Sequence, residues 1–168
     1  MEATSVPCNG VLTPRDQEGP YYTPGSPERA NLFEEGMAGV PILVFGHVFD
    51  PECNPVAGAK VDFWQADAAG VYDNAGYTLR GHVIADEDGA YAMTTIEPGV
   101  YPGRPPHIHA KIFAPDGREL LTTQLYITAS QETAGDRETS SLLVPYLGLD
   151  GSGRQQVRFD FVVDAGGA

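Results

Sequence analysis

Gly99-Val-Tyr101-Pro-Gly-Arg104-Pro-Pro-His107-Ile-His109-Ala-Lys-Ile-Phe113 sets a phenol, a guanidinium and two imidazoles at the entry to a strand-like run. In a β-strand successive side chains point to opposite faces, so His107 and His109 share one face while Ile108 and Ala110 take the other. Two imidazoles about 6–7 Å apart along a strand suit convergence on one metal ion. The bland alternative is a pair of solvated histidines on an exposed face. Tyr101 and Arg104 beside them favour the metal, and a phenolate is a hard oxygen donor that suits ferric iron best.

Outward from this stretch the chain reads as strands joined by turns. Ile42–Phe49 leads into a turn at Asp50-Pro-Glu-Cys-Asn-Pro55, and in the next run Ala59, Val61 and Phe63 alternate with Lys60 and Asp62. Asp86-Glu-Asp-Gly89 turns into Ala90–Ile96, Pro115-Asp-Gly117 into Leu120–Ile127, and Val157, Phe159, Phe161 and Val163 alternate in a last strand. Ser26 before Pro27 offers a cap for a short helix through Leu32-Phe33, and the stretch 128–153 reads as loop with at most a short helix. The spacing predicts an all-β chain, an antiparallel β-sandwich with long loops carrying a metal site and little helix. An irregular arm over residues 1–40 is expected to precede a β-sandwich catalytic core over 41–168, in a single domain.

A chain of 168 residues is long enough to bury a proper core, and Gly 20 and Pro 14 fit many tight turns. The net charge of −13 argues against nucleic acid and anionic membrane surfaces as partners. No apolar run approaches the roughly 18–20 residues that span a bilayer. The N-terminal stretch shows no basic segment followed by an apolar one, so the expectation is a cytoplasmic protein as written, or an extracellular one if a leader was removed. Cys8 and Cys53 sit in no Cys-x-x-Cys pattern; they read first as free thiols, with a disulfide tying the arm to the first hairpin as the rival.

Several landmarks in order resemble the intradiol ring-cleaving catechol dioxygenases, in a compact single-domain form. They are Glu18-Gly-Pro-Tyr-Tyr22, Gly46-His-Val-Phe-Asp50, the run from Val61 through Trp64-Gln65 to Tyr72, Leu79-Arg-Gly81, Thr95–Tyr101, His107-Ile-His109 and Thr123-Gln-Leu-Tyr126. The resemblance implies a ferric ion, Fe(3+), held by Tyr72, Tyr101, His107 and His109, with Tyr101 also acting as a base. It places Arg104 and Gln124 as a second-sphere pair beside the reacting ring. It implies cleavage of a catechol-type substrate by dioxygen, between the two hydroxylated carbons, to a muconate-type diacid. It also implies self-association. A cysteine before the Glu-Gly-Pro-Tyr-Tyr segment recurs in the compact members, which keeps the disulfide reading open.

Two departures stand out. Only five residues separate Tyr101 from His107, so the inserted loop that walls the pocket in the protocatechuate and catechol enzymes is expected to be missing, and the sequence as written shows no counterpart of the catechol enzymes' helical linker domain. Two rival readings remain. One is a non-catalytic transthyretin-like binding module, suggested by Gly46-x-Val-x-Asp50 and Pro55–Val61. The other is an intradiol-like iron protein acting on something other than a catechol.

Overall fold

The structure, a computed structural model, describes residues 8–99, 106–128, 143–145 and 147–165. Among these are nine strands: β1 Pro41–Phe49, β2 Lys60–Trp64, β3 Arg80–Ile84, β4 Ala90–Ile96, β5 His107–Phe113, β6 Glu119–Thr128, β7 Leu143–Pro145, β8 Gln155–Arg158 and β9 Phe161–Val162. They form two sheets. One has the order β4-β1-β8 with β9 also on β1, and the other β3-β2-β5-β6-β7. The β-sandwich expectation holds. The pairings are antiparallel except for β8 and β9 on β1 and β7 on β6, which are parallel.

Period-2 patterning puts Ile42, Val44 and Val48 of β1, Val61 and Phe63 of β2, and Ile108, Ala110 and Ile112 of β5 into one shared core. The other face of β5 should then be polar and wet, yet His107, His109 and Lys111 are buried as well. The cover is the segment before β1, which crosses the outer face of the five-stranded sheet as a strap. The backbone N–H of Asp16 donates to Thr122 O at 3.0 Å, and the N–H of Arg29 to His82 O at 2.9 Å. Sheets normally leave one face to solvent. Here the strap turns that face into an interior.

Five expectations are corrected. The stretch 128–153, expected to be loop with at most a short helix, contains strand β7, which pairs in parallel with β6. No helix forms after Ser26; Glu28 and Asn31 instead make isolated bridges to His82 and Thr94, because backbone groups of the strap pair with residues inside β3 and β4. Strand β3 was not foreseen, its apolar signal being interrupted by Arg80, Gly81 and His82. The last strand is broken into β8 and β9, with Phe159 between them. Its carbonyl oxygen lies 1.9 Å from where a Cβ on residue 46 would stand, so only glycine fits at Gly46. Finally, Cys8 and Cys53 are joined in a disulfide and are not free thiols. That bond fixes the start of the strap to the turn between β1 and β2.

Candidate metal centre

Strand register builds the site. Trp64 of β2 stands opposite His109 of β5, which stands opposite Gln124 of β6, while His107 stands opposite Tyr126. These side chains therefore share the covered outer face. Tyr72 joins them from the loop between β2 and β3. It sits between two turns that aspartates close. The Oδ1 of Asp67 accepts the N–H groups of Ala69 and Val71 at 2.9 and 3.0 Å, and the Oδ1 of Asp73 accepts those of Ala75 and Gly76 at 3.0 and 2.9 Å. Hydrogen bonds from Thr78 and these amides hold the Asp73 carboxyl well below the usual carboxylate range. Gly99 locks the first turn to the segment that leads into 100–105: its N–H donates to Asp67 O at 2.9 Å, and a Cβ there would meet backbone atoms at 2.4 Å.

The phenol oxygen of Tyr72 lies 3.0 Å from His109 Nε2 and 3.3 Å from His107 Nε2. All three groups are buried. Donors bound to one metal at about 2.0–2.1 Å sit about 3.0–3.4 Å apart, so both separations suit donors sharing one metal ion. The described residues contain no cluster of three or more His, Cys, Asp or Glu that would hold a metal. Among the described residues, the donor that joins the two imidazoles is the Tyr72 phenol. Tyr101 and Arg104 lie outside the described residues.

Aromatic rings fix the donors. The indole of Trp64 lies flat on His109, with centroids 4.7 Å apart and planes at 8°, and Tyr21 of the strap stacks on Tyr72 at 4.5 Å. Gln124 donates from Nε2 to Gln17 O at 2.8 Å. Its Oε1 lies 2.8 Å from the Tyr126 hydroxyl, which also reaches Asp16 Oδ2 at 2.7 Å. The strap therefore orients the amide that the resemblance places beside the substrate.

Sequence reading missed the next row on the same face, made of His82, Asp62, Lys111 and Thr122. Lys111 pairs with Glu18 at 2.5 Å and Glu119 at 3.4 Å, and its ammonium sits 4.6 Å from the centre of the Tyr22 ring. Asp62, a polar member of the β2 alternation, is buried and accepts hydroxyls from Ser26 at 2.7 Å and Tyr22 at 3.0 Å. The signal available was its period-2 spacing from Trp64, which places both on the site's face.

Burial pushes the Asp62 carboxyl above its ordinary 3.8, against the lowering effect of the Ser26 and Tyr22 hydroxyls. The native state then binds this proton more tightly than the unfolded chain. The contribution to stability is full below pH 3.8 and is lost as pH rises through the native value. Asp62→Asn is expected to remove that downward slope. Urea unfolding of both proteins across the acid range checks it, and parallel curves would reject the buried-acid account.

A β-sandwich with a phenol and two imidazoles converging on one point of a covered sheet face defines a protein with a candidate metal centre. The comparisons place it more narrowly. A family model described as "Dioxygenase" matches residues 17–165. Catechol 1,2-dioxygenase of Acinetobacter baylyi is 31% identical over 153 residues, covering 74% of this chain and 49% of that protein. Hydroxyquinol 1,2-dioxygenase of Nocardioides simplex is 33% identical over 148 residues, covering 74% and 50%. The chain thus spans about half the length of these curated relatives. Among solved structures, the dioxygenase domain of a dioxygenase carbohydrate-binding protein fusion from Streptomyces sp. SirexAA-E superposes with a TM-score of 0.82. It is 41% identical, and the match covers 92% of this chain and 99% of that one. The chain belongs to the intradiol dioxygenase family.

Proposed function

We propose that the protein is a non-haem ferric intradiol dioxygenase, cleaving a catechol-type ring between its two hydroxylated carbons to a muconate-type diacid. The observation that carries this reading is the convergence of the Tyr72 oxygen and the Nε2 atoms of His107 and His109 on one buried point. One phenolate and two neutral imidazoles are the donor types that keep iron ferric, unlike the two-histidine, one-carboxylate set of ferrous oxygenases. A ferric ion held there supplies Lewis acidity and electron acceptance, which make a bound catecholate reactive toward dioxygen.

The residues divide the remaining work. Tyr72, His107 and His109 hold the ion, and the stack of Trp64 on His109 keeps that imidazole in plane. By the family resemblance, Tyr101 completes the ligand set and takes up one catechol proton at its phenolate oxygen. On the same ground, Arg104 stabilises negative charge developing on the ring, and Gln124 holds Arg104 in place. The bonds of Gln124 to Gln17 and Tyr126 support that role by fixing which end of the amide faces the strap. A transthyretin-like module would need neither the phenol nor the imidazole pair.

The test is a visible spectrum of the iron-loaded protein before and after anaerobic addition of catechol. A broad tyrosinate-to-iron band that moves to longer wavelength on addition is expected. A protein still colourless after reconstitution with iron would discard the proposal. Aerobic assays with catechol, hydroxyquinol and protocatechuate, followed by the absorbance of the diacid, then rank substrates.

A further inference from the structure

Arg80 is among the largest side chains wholly removed from solvent, at 1% exposure. A buried guanidinium is costly unless something compensates its charge. Its bonds among the described residues go to neutral oxygens: Nε donates to Asp73 O at 2.9 Å and Nη2 to Asn74 Oδ1 at 3.3 Å, while Nη1 has no protein partner. Both acceptors directly follow Tyr72. The backbone before the guanidinium is itself held in an unusual shape. Leu79 has a φ of 57°, a left-handed conformation that a leucine rarely adopts. Arg29 stabilises this turn by donating from Nε and Nη2 to Arg80 O at 3.2 and 2.8 Å, and from Nη2 to Tyr77 O.

Register carries Arg80 toward the metal centre. It stands opposite Trp64, which stands opposite His109, so guanidinium, indole and imidazole form one row across β3, β2 and β5. Of the negative charges that favour the guanidinium, Asp73 contributes most and Tyr72 next. The strained turn, the fork on residues 73 and 74 and the place in the row all bear on one side chain.

We propose that Arg80 is a positioning residue of the metal centre, its fork fixing the turn that presents Tyr72 and its buried charge acting on the phenolate ligand from that row. This rests on Tyr72 being a ligand, as proposed above. Arg80 touches neither metal nor substrate.

The test uses the iron-loaded protein and two readouts that a merely structural role would leave unmoved. These are the rate of iron loss to a chelator and the position of the tyrosinate-to-iron band. In Arg80→Gln, iron should leave about 10–100-fold faster, the range for loss of an outer-sphere partner. The band should move to longer wavelength, because phenolate electrons lie higher without a neighbouring cation. Arg80→Lys keeps a charge but not the fork, so it should restore the band and still lose iron faster. It also carries the test if the glutamine variant does not fold. Variants that melt earlier but keep the parent's band and iron-loss rate would overturn the proposal. A parent protein that takes up no iron would fail at Tyr72, before any Arg80 variant is made.

Discussion

Tyr72→Phe is expected to weaken iron retention by more than about 100-fold, beyond the 10–100-fold that loss of an outer-sphere partner costs. The change removes one oxygen and little else. The ring keeps its stack on Tyr21 at 4.5 Å and its place in the cluster with Trp64 and Ala66. Without iron, the variant should therefore be destabilised by only about 1 kcal/mol, the usual worth of a hydrogen bond. With iron, the charge-transfer band should weaken and shift, since one of the proposed phenolates is gone. Chelator competition and the spectrum of the reconstituted variant check both points. Unchanged iron affinity and colour would remove Tyr72 from the centre and leave the imidazole pair without its phenol.

The contrast between Tyr72 and its surroundings shows what the sequence could carry. His107, Ile108 and His109 were legible because strand alternation is a local property: residue types in a row dictate which side chain faces the core. Tyr72 was placed by family resemblance alone, since a tyrosine after Gly-Val in an aspartate-closed turn looks ordinary. The strap was illegible. Its Pro- and Gly-rich stretch has no period, and its order comes from contacts such as Asp16 with Tyr126, 110 residues apart. For the same reason the burial of Asp62 and Lys111 is not readable from the sequence: alternation reports which face a residue takes, not whether another segment covers that face. Strand β3 was lost because Arg80 and His82 serve the covered face, and their polarity hides the pattern. Arg80 stood within a family landmark with no role attached, and only the bonds of its guanidinium supply one.

Replacing Cys8 and Cys53 together by serine is expected to cost about 3–4 kcal/mol of stability while leaving the iron-loaded spectrum unchanged at room temperature. The cross-link joins residues 45 apart, and the chain-entropy account of closing a loop of that length gives about 4 kcal/mol, acting on the unfolded ensemble. For a domain of this size the midpoint should fall by on the order of 10 °C. The native strap has its own anchors downstream of the bond. The Thr13 N–H donates to Val162 O at 3.0 Å, Thr123 Oγ1 donates to Pro14 O at 2.8 Å, and the Gln124 amide and the Lys111 ammonium hold Gln17 and Glu18. Those contacts keep the cover over His107 and His109 as long as the protein is folded, so the colour should survive where the melting temperature does not. Thermal unfolding and the visible spectrum of the double variant, set beside the parent with and without reductant, separate the two effects. A midpoint unchanged by the substitutions would reject the entropic account. A spectrum that fades below the unfolding transition would show that the disulfide, and not the downstream contacts, holds the strap over the metal centre.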